Sequence, residues 1–170
     1  MDKVYPEGIL QAKELIYDTF GFLFENALPE KESSEYDAYT FNLNNLKIVF
    51  RSAKVTPTKN GQFVTLWKRQ GTGPIMPFDA TDNIDLVVVS TKAEKHFGQF
   101  VFPKSVLLKK GVFTTHCKDG KRAMRVYPPW DTAENPQAKK TQKWQLDYFL
   151  EIDKTKPLDE LQVNKLYNLK

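Results

Sequence analysis

The sequence predicts one α/β or α+β domain built on a central mixed β-sheet flanked by helices. Three observations lead there. Near the start, Ile9, Ala12, Ile16, Phe20, Leu23 and Ala27 recur at steps of three and four, the period of an amphipathic helix. From Tyr39 onward the apolar residues alternate, the period of a strand. The segment Ile84-Asp85-Leu86-Val87-Val88-Val89 contains an unbroken apolar run, the habit of a strand covered on both faces. Size agrees: 170 residues, 41% hydrophobic, suffice for a single core that buries roughly 70% of the unfolded surface. The one cysteine, Cys117, excludes a disulfide framework and a Cys-rich zinc site. No apolar run nears the ~18 residues of a membrane span, and Met1-Asp2-Lys3-Val4-Tyr5-Pro6 does not open like a secretion signal. The expectation is a cytoplasmic protein with no membrane partner and no cofactor.

In order along the chain, Pro29 closes the first helix and the acidic Glu30–Asp37 stretch reads as a loop. Tyr39–Leu43 and Leu46–Arg51 form a hairpin across Asn44-Asn45. Thr56 to Gly61 is a loop, and Gln62–Lys68 is the third strand of a meander. A Gly/Pro-rich loop from Gln70 to Pro77 leads to the apolar strand; Phe97–Phe102 and Arg122–Tyr127 follow as strands. Asp119-Gly120-Lys121 reads as a hairpin turn. A second helix begins at Pro136 behind the N-cap Asn135 and runs to about Phe149. Residues 1–152 therefore make one domain, and 153–170 a C-terminal tail with a short helix carrying Leu158, Leu161 and Leu166.

Net charge is +4, but it is unevenly spread. Residues 1–37 hold three lysines against nine acids, which leaves +10 on the rest. Between Ala38 and Phe78 there is no acid at all, while Lys47, Arg51, Lys54, Lys59, Lys68 and Arg69 lie there. From Lys95 to Trp130 eight cations, among them Lys121, Arg122 and Arg125, face only Asp119. Lys139, Lys140 and Lys143 stand three and four residues apart on the second helix. Unmatched cations of this kind attract polyanions.

Catalytic patterns are scarce. His96 and His116 belong to no zinc-binding arrangement, His116 and adjacent Cys117 would point to opposite faces of a strand, and Gly71-Thr72-Gly73-Pro74 is too short for a phosphate loop. A magnesium site would need two or three carboxylates and a lysine. Glu14, Asp79, Asp82, Asp85 and Asp119 with Lys121 are the candidates, and a turn or strand-start aspartate paired to a cation is the simpler reading of each.

The blocks Ala53–Arg69, Gly73–Asp79, Phe97–Lys104, Gly120–Trp130 and Gln142–Leu146 resemble, in order, those of the MepB-like family. That family takes its name from a gene neighbourhood of multidrug efflux, an association and not a mechanism. The resemblance implies a restriction-endonuclease-like, PD-(D/E)XK architecture: a leading helix, a three-stranded meander, then further strands and a helix. In active nucleases of that fold the second and third core strands carry the metal-binding acids, the third as acid-x-Lys. Carried onto this chain, Lys68 matches the lysine, but Leu66 stands where the acid belongs, with Thr65 or Trp67 on either side, and Leu46–Arg51 holds no carboxylate. Glu14 is the remaining acid. The resemblance therefore implies a nuclease-like fold without metal ligands or hydrolysis.

Rings lie among the cations: Phe50 beside Arg51, Trp67 before Lys68-Arg69, Tyr127 and Trp130 after Arg125, Trp144 after Lys143. Cations hold phosphates and flat rings stack on unpaired bases, which suits RNA or single-stranded DNA better than duplex. Phe50, Phe63, Phe100 and Phe102 read as core; Trp130 and Trp144 fit either role. The expected nucleic-acid contacts are Arg51, Lys54, Lys59, Lys68, Arg69, Lys121, Arg122, Arg125, Trp130, Lys139, Lys140, Lys143 and Trp144. Two other readings remain: a metal-dependent nuclease using Glu14, Asp82 and Asp85, and a basic module that docks an acidic protein.

Overall fold

The structure, a computed structural model, describes residues 4–168. The helical period at the start is realised only in part. Helix α1 (Glu7–Ala12) passes into one π-helical turn, Lys13–Tyr17, and buries Ile9, Ala12 and Ile16. The helix does not continue to Pro29. Gly21 takes a positive φ of 70°, and strand β1 (Phe24–Pro29) follows. Pairing decides this: β1 runs antiparallel to β2 (Tyr39–Leu43), with Phe24 opposite Leu43, and the Phe24 ring lies 4.9 Å from Phe41. A spacing of three and four is outweighed by a strand partner that only the folded chain supplies.

Asn44 and Asn45 have φ of 50° and 68°, the two left-handed positions of a tight hairpin, and lead into β3 (Leu46–Ser52) as expected. The expected third strand then divides. Beyond β4 (Lys54–Val55), residues Gln62–Thr65 form β5, while Lys68–Arg69 form β6 and pair with β7 (Ile75–Met76). Neither joins the main sheet, because the free edge of β3 is taken in parallel by β8 (Leu86–Ala93), Ile48 opposite Leu86. Strand β9 (His96–Pro103) returns antiparallel, followed by helix α2 (Lys104–Lys109). Strand β10 (Ala123–Val126) pairs with β5, giving a small sheet ordered β10-β5-β4. Helix α3 (Pro136–Gln145), a 3-10 turn at Leu146–Tyr148, β11 (Phe149–Glu151) and α4 (Glu160–Tyr167) complete the chain. The six-stranded sheet is ordered β1-β2-β3-β8-β9-β11, so the architecture is mixed α+β around a central mixed sheet.

Strand alternation sorts the core into two faces. Ile48, Phe50, Leu86, Val88 and Val101 meet α1 and α4; Val49, Val87, Val89, Phe100 and Phe102 meet the small sheet and α2. The apolar run of β8 is wholly buried, as a strand inside a covered sheet requires.

Two expectations change here. The tight turn near Cys117 is closed by Thr115 and Lys118, which exchange backbone hydrogen bonds, not by Asp119-Gly120. Gly120 instead lies where an added Cβ would come within 2.4 Å of the Val112 carbonyl oxygen. The C-terminal segment is no appendage. Asp159 caps α4, which buries Val163, Leu166 and Tyr167 in the same core as α1, while Leu161 is exposed. Leu166→Ala should therefore cost about 2–4 kcal/mol in urea unfolding, the range for a truncated core leucine.

Candidate nucleic-acid interface

Helix α3 is locked onto the small sheet by glutamines. The buried Gln145 accepts the Tyr127 backbone N–H at 2.8 Å and donates to the Arg125 carbonyl at 2.9 Å. Gln142 donates to the Pro128 and Asp131 carbonyls at 3.0 and 2.9 Å. At the other end Asn135 Oδ1 accepts the Ala138 N–H, as its N-cap position predicts. These bonds hold α3 beside β10 and leave a groove of about 630 Å³ between helix and sheet. Nothing in the sequence marked the two glutamines, since their partners are backbone atoms brought close only by folding.

Four cations converge on that groove: Lys59 from the loop before β5, Lys121 and Arg125 from the segment of β10, and Lys110 behind α2, a lysine that no sequence pattern marks. Among the described residues none of the four forms an ion pair with a carboxylate, and Glu134 is the one acid in the lining. Arg125 is held in place: Nη2 donates to Thr56 Oγ1 at 2.8 Å, Nη1 to the Asn60 carbonyl at 3.2 Å, and the guanidinium lies 5.8 Å from the Phe63 ring centre. Trp144 forms part of the wall, half-buried against Phe102, with Lys110 Nζ 5.5 Å from its ring. The groove thus places positive charge beside a flat indole.

The remaining expected contacts lie elsewhere. Arg51 is fully buried; it donates to the Thr65 and Phe50 carbonyls and forms a two-pronged pair with Glu30 at 2.8 and 3.2 Å, so it offers nothing to a ligand. Lys68 sits between Asp79 and Asp82, 2.8 Å from each. Arg69 pairs with Glu32, which also accepts the Trp67 Nε1–H at 2.7 Å. All three cations are neutralised by nearby acids: Arg51 in the interior, Lys68 half-buried and Arg69 at the surface. Arg122 donates to the Ile75 carbonyl outside the groove. Lys139, Lys140 and Lys143 are exposed on α3 but do not line the groove. Trp130 packs structurally: it stacks on His96 at 5.0 Å and meets Phe149 edge-on. Lys54 stands at the far edge of the small sheet, 5.0 Å from the Tyr36 ring. Phe63, expected in the core, is half-exposed.

A second concavity of about 600 Å³ lies beside these ion pairs, lined by Trp67, Phe78, Ile84 and the paired charges. Burial pulls the Lys68 ammonium down, but its hydrogen bonds to the two aspartates outweigh this and hold its pKa above the ordinary value. The same lysine, with the Thr81 hydroxyl, holds the Asp79 carboxyl well below the carboxylate range. The hydrogen bond from Arg69, then that from Trp67, lowers the Glu32 pKa. The acids of a rearranged metal site are dispersed. Glu14 is carried on the helical segment packed against one face of the main sheet, whereas Ile84, between Asp82 and Asp85, packs on the other. Asp85 accepts the Lys47 N–H at 2.7 Å, the ordinary duty of a strand-start aspartate. Among the described residues no group of three His, Cys, Asp or Glu side chains could hold a metal ion. Leu66, where the resemblance would place an acid, is core, and Thr65 bonds to Ser33.

The family model for MepB-like proteins matches residues 30–151. A solved structure of MepB is 36% identical, with a TM-score of 0.75 over 84% of this chain and 97% of that one. A bacterial homing endonuclease, I-Ssp6803I, is similar at 18% identity and a TM-score of 0.47 over 82% of this chain and 89% of that one. No curated protein matches the sequence.

Two outcomes follow from the ion pairs. Removing one partner of a buried pair strands the other, so Arg51→Met should lower unfolding free energy by about 3 kcal/mol in a urea titration. Because Asp79 has a depressed pKa in the folded state, the unfolded state takes up its proton first on acidification. Its contribution is whole above about pH 4, the unfolded aspartate value, and is lost as pH falls toward the folded pKa. Thermal melts from pH 7 to 2 should show a shallower acid loss for Asp79→Asn than for the parent.

Proposed function

The chain belongs to the MepB-like family, and from the groove that its fold builds we propose that it binds nucleic acid without sequence preference, RNA or single-stranded DNA ahead of duplex, and does not hydrolyse it. One observation carries the reading: Lys59, Lys110, Lys121 and Arg125 converge on a single concave surface with no ion-pair partner among the described residues, beside the face of Trp144. A phosphate backbone in the groove would release counterions to bulk solvent, which favours binding most at low salt. An unpaired strand also exposes base faces to Trp144, a contact that duplex withholds. The family's nuclease-like architecture supports a nucleic acid as the polyanion. Leu66, Thr65 and Trp67 at the acid positions, each occupied with packing or hydrogen bonds, support binding without cleavage. The cations spent on Glu30, Glu32, Asp79 and Asp82 have no part in it.

Fluorescence anisotropy with labelled 12-residue oligo(U) and oligo(dT), across 25 to 200 mM salt, tests this. Log affinity should fall linearly with log salt, by about 0.7 for each phosphate neutralised on a single strand. Lys59→Glu with Lys121→Glu should weaken binding at least about tenfold and reduce the slope. Lys165→Glu on α4, across the main sheet, should change neither. Lack of binding at 25 mM salt, or binding with no salt slope, would reject the proposal.

A further inference from the structure

The groove does not end at β10. Register pairing places Arg125 opposite Phe63 and Phe63 opposite Lys54, so the three side chains form one row across the small sheet. Their neighbours along the strands, Val64 and Met124, are buried beneath it. Alternation puts the row on the other face of the sheet. That face is open: Lys54 is exposed, and Phe63 and Arg125 are half-exposed. Tyr36 extends the row, its ring centre 6.1 Å from Phe63 and 5.0 Å from Lys54 Nζ. Cation and ring therefore alternate from the groove to the sheet edge: Arg125, Phe63, Lys54, Tyr36.

We propose that this row is a second binding platform, continuous with the groove, for a single nucleic-acid strand whose bases stack on Phe63 and Tyr36 and whose phosphates meet Arg125 and Lys54. The inference rests on the groove reading and extends it to an occupant and a path. Neighbouring strands lie about 4.8 Å apart, so the backbones bearing Lys54 and Arg125 stand roughly 10 Å apart, with the Phe63 ring between them. Phe63 and Arg125 belong to both surfaces, since each also lines the groove. A half-exposed aromatic on a strand in mid-sheet gains little from water; between two cations it suits a ligand that is both flat and anionic. Lys54 forms no ion pair among the described residues, so its charge remains open to a phosphate. A duplex would meet the cations but keep its base faces from the rings.

The test compares oligo(dT) strands of 4, 8 and 12 residues and a 12-base-pair duplex, by anisotropy, for the full chain and for Phe63→Leu, Tyr36→Leu and Lys54→Gln. Leucine keeps apolar bulk and removes the flat ring, and thermal melts check that each variant is folded. Affinity for the 12-residue strand should fall about five- to a hundredfold in each ring variant, as lost base stacking predicts, with the salt slope unchanged. The duplex should bind each ring variant as it binds the parent. Lys54→Gln should instead lower the salt slope for the 12-residue strand by about 0.7. Ring variants that bind the long strand like the parent, while Lys59→Glu with Lys121→Glu still weakens it, would overturn the platform and leave the groove reading standing. A parent protein that binds no strand at low salt would overturn both.

Discussion

The relation of the two sheets depends on Arg51. Among the described residues it is the largest side chain buried completely, a position that a guanidinium occupies only when its donors are satisfied. From β3 it reaches the Thr65 carbonyl at the end of β5, the Phe50 carbonyl on its own strand, and both oxygens of Glu30 on the segment that follows β1. Three segments distant in sequence are thereby joined through one group that water cannot replace. With Gln62 Nε2, which donates to the Lys92 carbonyl of β8, and the packing of Val64 and Leu66 on Val49, Val87 and Val89, it holds the small sheet against the main one.

A consequence runs through the electrostatics. The acid-free stretch that stands out in the sequence is not acid-free in space. Glu30 and Glu32 fold back onto Arg51 and Arg69, and Asp79 and Asp82 enclose Lys68. Of the cations left without an acid, Lys59, Lys110, Lys121 and Arg125 gather where α3, β5 and β10 meet. A positive patch of that kind is more selective than a uniformly basic surface, because it couples charge to shape and to the rings beside it.

Legibility in the sequence followed the range of the interactions. The hairpin at Asn44-Asn45, the cap at Asn135 and the burial of β8 were readable because each rests on local backbone preference or on a run of one residue class. The end of the first helix was not, since the strand character of Phe24–Pro29 comes from its partner β2. Gln62–Arg69 could not be read as two strands of different sheets, because its composition suits either sheet and β8 had already taken the edge it would have joined. In the groove, Lys59, Lys121, Arg125 and Trp144 were visible as cations and a ring. Lys110 was not distinguished from other lysines, and Gln142 and Gln145, which position the helix, carry no charge to draw notice.

By itself, then, the chain's order of residues determined the class of fold, the family resemblance and the excess of positive charge outside the first 37 positions. These are sums and short-range patterns, and they survive without coordinates. The choice of which cations stay free was made only in three dimensions. Ion pairing falls off within a few ångströms, and residues 20 to 40 apart in the chain, such as Glu30 and Arg51, come within that reach only when the strands between them have found their partners.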